Sequence, residues 1–283
     1  FTDAVKKMFS EENIDLKDLS LITVDAVPQD ASCVIINAPE SDISEEEYKM
    51  ITEYADAGGN IILTTSYTNS SLENITKIAS MYGTEPIDGV VVEGDSNYHY
   101  TGYNYFLLPD INEHEITEPF AGEYYVLAPL CHGIKISEDT DGSVRTTKLL
   151  TTSASAYVKD IKALETLSKE EGDEEGSFCV SAASELVKGD LGSSKFVWIS
   201  TGNILDDEIN QQYTIANYDL FFNSLKWICE KEESISIRSK SMNAEMIIVD
   251  ENSAFTFGSI MIVIIPVVCV ATGIVIWNRR KKV

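Results

Sequence analysis

Two short apolar runs joined by a strongly signalled helix constrain the fold more than any other stretch of this chain. Residues 33–38 and residues 60–65 are largely apolar and contain several Val and Ile side chains. Continuous apolar runs of this length are typical of strands covered on both faces, as in a parallel sheet. The stretch therefore predicts a strand, a helix and a second, parallel strand, joined as a right-handed βαβ unit.

The helix between these two strands carries its own start and stop signals. Ser44 is a good N-cap and Glu47 lies three residues later, so the two can form a capping box. Ile51 falls on the apolar stripe of the helix, which predicts that its side chain is buried against the sheet. Gly58 and Gly59 follow, and glycine accepts the left-handed backbone conformation that ends a helix.

The remaining patterns predict further elements of an α/β domain with a mostly parallel sheet and flanking helices. Helices are expected at residues 1–12, 72–82 and 216–230. Strands are expected at residues 19–24, 89–93, 124–127, 178–183 and 195–200. Residues 133–136 and 144–153 predict a β-hairpin, because Asp141-Gly142 between them is a strong turn signal.

Several segments resemble the GldG-like, gliding-motility-type family of ABC-transporter auxiliary proteins, an ABC-type uncharacterized transport system. The first is VPQDASCVIINAPESDISEEEYKMITEYADAGGNIIL at residues 27–63. The others are LLPDINEHEITEPF at residues 107–120, ANYDLFFNSLKWI at residues 216–228 and ISIRSK at residues 235–240. The resemblance implies a flavodoxin-like α/β fold related to class I glutamine amidotransferases. It also implies an ABC permease and an ATPase on other chains as partners.

The C-terminal segment is the second strong signal in the chain. Residues 255–277 contain no charged side chain and are rich in Ile and Val. At ~1.5 Å per residue, such a helix would cross the ~30 Å hydrocarbon core of a bilayer. Trp277 suits the membrane interface. The basic side chains that follow it are Arg279, Arg280, Lys281 and Lys282.

These signals predict three regions with a defined topology. They are an extracytoplasmic α/β domain at residues 1–250 with an acidic loop at 159–177, a transmembrane helix at 251–278 in contact with lipid, and a basic tail at 279–283. The positive-inside rule places the tail in the cytoplasm and the domain outside a bacterial cell membrane. Since Phe1 is not an initiator methionine and no strand precedes the first helix, the sequence predicts an N-terminally truncated chain.

The charge of the chain disfavours one class of partner. The formal net charge is −25 at pH 7, although four basic residues lie together at the C-terminus. Affinity for nucleic acid comes largely from cationic contacts to phosphate. Nucleic acid is therefore not expected as a partner.

The sequence offers few candidates for catalysis or metal binding. The five cysteines are scattered without a CxxC spacing, which predicts free thiols and neither a metal nor another cofactor. A glutamine-amidotransferase-type nucleophile would be a cysteine on a sharp turn after a strand, and the loop after residues 60–65 has none. Cys131 and His132 are adjacent, and adjacent strand residues point to opposite faces, so they are not expected to act as a nucleophile and base.

Two polar or aromatic groups remain as candidate surfaces. Asn203, Asp206 and Asp207 follow a predicted strand and could form a polar rim, but capping of a short helix explains them better. The run DSNYHYTGYNYF at residues 95–106 is dense in tyrosine. Its rings either form a stacking surface for a ligand or pack half-buried in an ordered loop. The candidate ligand-binding residues are Tyr98, Tyr100, Tyr103 and Tyr105.

The leading functional prediction is a non-catalytic, membrane-anchored extracytoplasmic auxiliary subunit of an ABC-type transport system. The chain has no GxxxxGK[ST] phosphate-binding loop, so an ATPase would be a separate chain. The alternative is a cell-surface module that binds a glycan or a peptide through the tyrosine-rich loop. An amidotransferase-like hydrolase is the third and least favoured hypothesis.

Overall fold

The computed structural model describes residues 1–68, 70–137, 142–160, 167–187, 193–229 and 260–280. Its contacts divide the chain into two compact units, Phe1–Met246 and Ile247–Val283. The helices described in the first unit are α1 (Asp3–Glu11), α2 (Glu45–Asp56), α3 (Glu73–Met81), α4 (Asp207–Gln212) and α5 (Asn217–Ile228), with 3-10 turns at Leu21–Thr23 and Gly202–Leu205. The described strands are β1 (Cys33–Asn37), β2 (Asn60–Thr64), β3 (Thr84–Pro86), β4 (Val90–Val92), β5 (His99–Tyr100), β6 (Tyr103–Leu107), β7 (Asp110–Ile111), β8 (Ala128–Pro129), β9 (Ile134–Ile136), β10 (Val144–Thr151), β11 (Tyr157–Lys159), β12 (Cys179–Val187) and β13 (Ser193–Ile199).

A mixed eight-stranded sheet forms the centre of the first unit. Its main path has the order β1-β2-β13-β12-β10-β7, and β9 joins β12 to β3. β1, β2 and β13 run parallel, whereas every other pairing described in this sheet is antiparallel. Two smaller sheets, β4 with β11 and β5-β6-β8, lie outside it.

The prediction of a mostly parallel, flavodoxin-like sheet is wrong, since most described strand pairs are antiparallel. Residues 188–192 alone separate β12 from β13, and a parallel pair would need a crossover of about a dozen residues or more. The first six residues of β12 are all buried because the strand lies in the middle of the sheet. Burial of both faces of a strand therefore does not reveal the direction in which the strand runs.

The predicted strand–helix–strand arrangement around α2, with β1 parallel to β2, is confirmed. The backbone N–H of Ser44 donates to the carboxylate of Glu47 at 2.8 Å, and the N–H of Glu47 donates to the Ser44 hydroxyl at 3.2 Å. Ile51 is 2% exposed and packs in the same core cluster as Ile61. Ile62, next along β2, belongs to the core cluster on the other face, so β2 is covered on both sides.

Three local predictions are wrong. Residues 19–24 contain a 3-10 turn instead of a strand, and Ile22 within it is 87% exposed. In place of a strand at residues 124–127, Tyr125 forms an isolated bridge with Ile215. β9 and β10 do not pair with each other as a hairpin, because β9 pairs with β3 and β12 while β10 pairs with β12 and β7. Asp141 of the expected turn lies outside the described residues.

The prediction of a membrane-spanning helix at residues 251–278 is also wrong. In the second unit a π-helical turn at Ile260–Ile264 leads into α6 (Ile265–Arg280), a helix of 16 residues. At ~1.5 Å per residue, α6 extends about 24 Å and falls short of a ~30 Å hydrocarbon core. No helix within the described ranges is both long and apolar enough to cross a bilayer.

Without a spanning helix, the residues that were predicted to set the membrane topology have no membrane segment to orient. Trp277 lies in α6 with 59% of its surface exposed, and Arg279 and Arg280 are the last residues of the helix. Lys281 and Lys282 lie outside the described residues. The predictions of a single-pass membrane localisation and a cytoplasmic tail depended on the spanning helix and are wrong as well, and the predicted lipid contact is left without support.

Candidate functional site

A cavity of about 460 Å³ lies beside the carboxyl ends of the parallel strands β2 and β13. In open α/β sheets, ligands commonly bind outside the carboxyl ends of the strands. Leu63 on β2 and Trp198 on β13 line the cavity, together with the loop after β2 and part of α3. Residues with hydroxyl side chains line much of it, and they include Thr65, Ser66, Tyr67, Thr68 and Thr76.

A chain of three hydrogen bonds forms one wall of the cavity. The indole N–H of Trp198 can only donate, and it lies 2.8 Å from Oγ1 of Thr65. Oγ1 of Thr65 is also 2.6 Å from Nε2 of His132. Nδ1 of His132 lies 2.9 Å from the carbonyl oxygen of Gly133, which can only accept, so Nδ1 carries the proton. In the neutral imidazole Nε2 is then an acceptor, and the Thr65 hydroxyl donates to it.

The environment of His132 favours this neutral form. The residue is 7% exposed, and burial lowers the pKa of His132 below its ordinary range. The carbonyl of Gly133 and the carboxylate of Asp88 act in the opposite direction, but burial is the larger effect. At neutral pH the imidazole is therefore uncharged and accepts a hydrogen bond from Thr65.

Cys131, the neighbour of His132, has a separate environment. Its side chain is fully buried, and Sγ donates to the carbonyl oxygen of Ala128 at 3.4 Å. Burial raises the pKa of the Cys131 thiol to about 12. The thiolate is the nucleophilic form of cysteine, and it is scarcely populated at neutral pH with such a pKa. The hydrogen bonds of Cys131 and His132 thus lead to different partners.

The polar residues after β13 serve as helix caps and packing partners. The carboxylate of Asp206 accepts the backbone N–H of Ile209 at 2.9 Å and caps α4. Asp207 accepts the hydroxyl proton of Tyr218 at 2.6 Å. Asn203 lies in the 3-10 turn between β13 and α4 and donates its backbone N–H to Thr201. The capping explanation is confirmed at Asp206.

The tyrosines predicted as ligand-binding residues lie in and beside the β5–β6 hairpin. Tyr103 is 47% exposed, and its ring centroid lies 6.2 Å from that of Tyr100 in a stacked arrangement. The ring of Tyr105 meets Tyr103 edge-on at 6.1 Å. Tyr98, which precedes β5, is half-buried. None of these four residues lines the cavity as it is described.

The backbone of Leu130 nevertheless connects the hairpin with the cavity loop. Its N–H donates to the carbonyl of Tyr105 at 3.0 Å, and its own carbonyl accepts the N–H of Tyr67 at 3.4 Å. Leu130 adopts a positive φ of 52° and is 40% exposed. One residue thus bridges the candidate tyrosine surface and the cavity.

Sequence reasoning pointed to one part of the cavity and missed the rest. In the sequence, the polar run SYTNSS at residues 66–71 directly follows the predicted strand at 60–65, a position where ligands commonly bind in open α/β sheets. His132 and Trp198 carried no such signal, because they reach Thr65 from 67 and 133 residues further along the chain. Among the residues that the structure places, no group of three or more His, Cys, Asp or Glu side chains could hold a metal ion.

The fold and the cavity together define a mixed α/β domain with a polar site at the carboxyl ends of its parallel strands. No family model and no curated protein match the chain. A solved structure described as "mmIFT52 N-terminal domain" matches with a TM-score of 0.56 and 15% identity, over 82% of this chain and 91% of that one. A ThuA-like protein from Bacteroides uniformis gives a TM-score of 0.40 and 14% identity, over 81% and 83%. The first likeness concerns the fold alone, and the second is too low to carry an argument.

Proposed function

We propose that the chain is a non-catalytic auxiliary subunit of an ABC-type transport system, with the cavity beside β2 and β13 as its ligand site. A permease and an ATPase on other chains are the partners in this proposal. The resemblance of residues 27–63, 107–120 and 216–228 to the GldG-like family supports the transport context. The observation that supports the non-catalytic assignment is that Thr65 and Cys131, the two potential nucleophiles next to His132, are engaged in structural hydrogen bonds.

Cys131 is unsuited to act as a nucleophile. Covalent catalysis by cysteine needs an accessible thiolate, activated by a base or by positive charge. The thiol of Cys131 is fully buried, and its pKa is raised to about 12. The neighbouring imidazole bonds to Thr65 and Gly133, so no cysteine–histidine pair is assembled.

Thr65 is the other group with the elements of a nucleophile, because its hydroxyl lies within hydrogen-bond reach of an imidazole. The hydroxyl is held at both ends, however, since it accepts from Trp198 and donates to His132. A backbone carbonyl orients the imidazole, whereas a carboxylate performs this role in a serine–histidine–aspartate triad. These bonds stabilise a buried wall of the cavity, and we assign Thr65 to that role.

Recovery of partners from native membranes tests this proposal. An affinity-tagged chain is crosslinked in cells, purified and examined by mass spectrometry. Enrichment of a permease together with an ATPase is expected, and their absence would contradict the transport assignment. A fluorophosphonate probe and an iodoacetamide probe, applied to the folded chain, test the non-catalytic assignment. Covalent labelling at Thr65 or Cys131 would contradict it.

A second candidate function is a surface module that binds a glycan or a peptide through the β5–β6 hairpin. The exposed ring of Tyr103, flanked by those of Tyr100 and Tyr105, favours this alternative, because exposed aromatic faces offer stacking area. Glycan and peptide arrays probed with wild type and Tyr103→Ala test it. Tyr125→Ala is the matched control, since Tyr125 is 48% exposed and belongs to none of these ring pairs. Binding that is lost only in Tyr103→Ala would favour the surface module.

A further inference from the structure

The cavity combines negatively charged groups with an apolar interior. Glu73 and Asp88 line it, and both are exposed to solvent. Leu63 and Ile75 line it as well, and both are buried in the core cluster beside α2 and α3. A cavity with carboxylates at its exposed side and apolar side chains at its buried side suits a ligand that has one positively charged end and one apolar end.

The ammonium group of the lysine that lines the cavity is held by side chains of α2 and α3. Lys77 is the only lysine or arginine among the described lining residues. Its Nζ lies 2.8 Å from Oδ1 of Asn74 and 3.6 Å from a carboxylate oxygen of Glu45. The same ammonium group lies 5.4 Å from the ring centroid of Tyr48. Lys77 is thus engaged by Asn74 and by two side chains of α2.

The carboxylate of Asp88 acts on two residues that line the cavity, Tyr67 and His132. Burial, followed by the carboxylates of Asp160 and Asp88, raises the pKa of Tyr67. Asp88 also acts on His132, although burial dominates there and keeps the imidazole neutral. The net charge of −25 adds a long-range field of the same sign. Such fields concentrate cations in clefts.

The aromatic lining suits a cation as well. Tyr67 and Trp198 both line the cavity. The ring of Tyr67 can attract an ammonium group through its quadrupole, and the ring of Trp198 offers area against which an apolar group can pack. Ser66 and Thr68 line the same space. Their hydroxyl oxygens accept the backbone N–H groups of Gly202 and Ser70, and a hydroxyl oxygen has a second lone pair that can accept from an ammonium group.

We infer that the cavity binds a small organic cation, namely a primary amine attached to a compact apolar or aromatic body. The ammonium group is placed toward Asp88 and Glu73, and the apolar body against Leu63, Ile75 and Trp198. This inference rests on the proposed function, because it names the ligand class of the same cavity.

Three probes of similar shape and different charge test the inference by isothermal titration calorimetry on the full chain. They are phenethylamine, phenethyl alcohol and hydrocinnamate. We expect the amine to bind at least about tenfold more tightly than the alcohol, and the acid to bind more weakly still. Binding of the amine is expected to weaken as salt is raised, since the carboxylates involved are exposed. No detectable binding of the amine, or equal affinity for amine and alcohol, overturns the inference.

A pair of charge-matched variants locates the site. Asp88→Asn removes one negative charge from the cavity with almost no change in shape, and we expect about tenfold weaker amine binding. Asp18→Asn removes the same charge from an exposed residue that does not line the cavity, and it is expected to bind like wild type. Equal affinities of the two variants overturn the assignment to this cavity. Thermal unfolding of each variant verifies that it is folded.

The outcome for the ligand is separable from the outcome for the transport proposal. If the amine does not bind while the permease and the ATPase are still recovered, the inference fails and the proposed function stands. If the amine binds with the expected dependence on Asp88 but no transporter subunit is recovered, the cation site stands and the transport assignment fails.

Discussion

Thr65 and His132 meet at the wall of the cavity, with 2.6 Å between the threonine Oγ1 and the histidine Nε2. Thr65 directly follows β2, and His132 lies shortly before β9. Through its second bond, to Trp198, Thr65 also ties this wall to β13. Three distant segments of the chain are thereby held together by one buried hydroxyl group.

Replacing Thr65 by valine tests the importance of this hydroxyl group. The variant leaves the buried indole N–H of Trp198 and Nε2 of His132 without their partner. We expect the free energy of unfolding to fall by about 1–3 kcal/mol, the usual cost of an unsatisfied buried polar group. Urea denaturation measures this change. Thr65→Ser keeps the hydroxyl and is expected to lie close to wild type, so an equal loss in both variants would contradict the explanation.

The neutral state of His132 predicts how stability depends on pH. Burial lowers the pKa of His132 from its ordinary value of about 6.5, and it also lowers that of His114. Below about pH 6.5, and down to the folded pKa, the unfolded chain binds more protons than the folded chain. The free energy of unfolding therefore holds the full contribution of the neutral histidines above about pH 6.5. It loses this contribution as the pH falls from about 6.5 through the folded pKa.

Urea denaturation at about pH 7 and about pH 5.5 measures this dependence on both sides of the ordinary histidine pKa. His132→Gln is expected to lose less stability than wild type between the two conditions, because the titrating group is gone. His114→Gln provides the comparison for the other histidine. An unchanged pH dependence in His132→Gln would show that His132 is not a source of it.

The burial of Ile51 makes a direct prediction about the core. Ile51→Asp places a carboxylate among apolar side chains, and we expect a loss of about 3–5 kcal/mol in the free energy of unfolding. Thermal or urea unfolding of the chain measures it. Ile22→Asp introduces the same side chain at a residue that is 87% exposed, and it is expected to have little effect. A similar loss in both variants would argue against a specific effect of burial.

The raised pKa of Cys131 predicts a thiol that does not react in the folded protein. Iodoacetamide is expected to leave Cys131 unmodified under native conditions and to label it after denaturation, as detected by peptide mass spectrometry. Cys229 is half-buried and lines a second cavity, so it serves as the internal control for labelling of the native chain. Cys131→Ala is expected to leave ligand binding and partner recovery unchanged. Rapid native labelling of Cys131 would contradict its burial.

Short-range signals were sufficient for several elements. The capping box of Ser44 and Glu47 and the apolar stripe through Ile51 predicted α2, and both are present. Thr2 likewise caps α1, where it accepts the backbone N–H of Val5. These signals succeed because a cap and a stripe depend on residues three or four positions apart, which the sequence displays directly.

The same kind of signal failed where an apolar run has more than one structural use. Residues 255–277 have the composition of a membrane span, yet the described helix α6 begins only at Ile265, after a π-helical turn. Residues 19–24 were predicted to form a strand, yet Ile22 lies exposed in a 3-10 turn. Composition and local pattern do not set the length of a helix or supply a partner for a strand.

By itself, the sequence determined where α1, α2 and α5 lie, that β1 and β2 are the strands on either side of α2, and that a polar loop follows β2. Only the tertiary structure decided that β12 runs antiparallel to β13 and that His132 and Trp198 meet at Thr65. The physical reason is that side-chain periodicity records burial along one element, while strand direction and contacts over 67 or 133 residues depend on how separate elements pair.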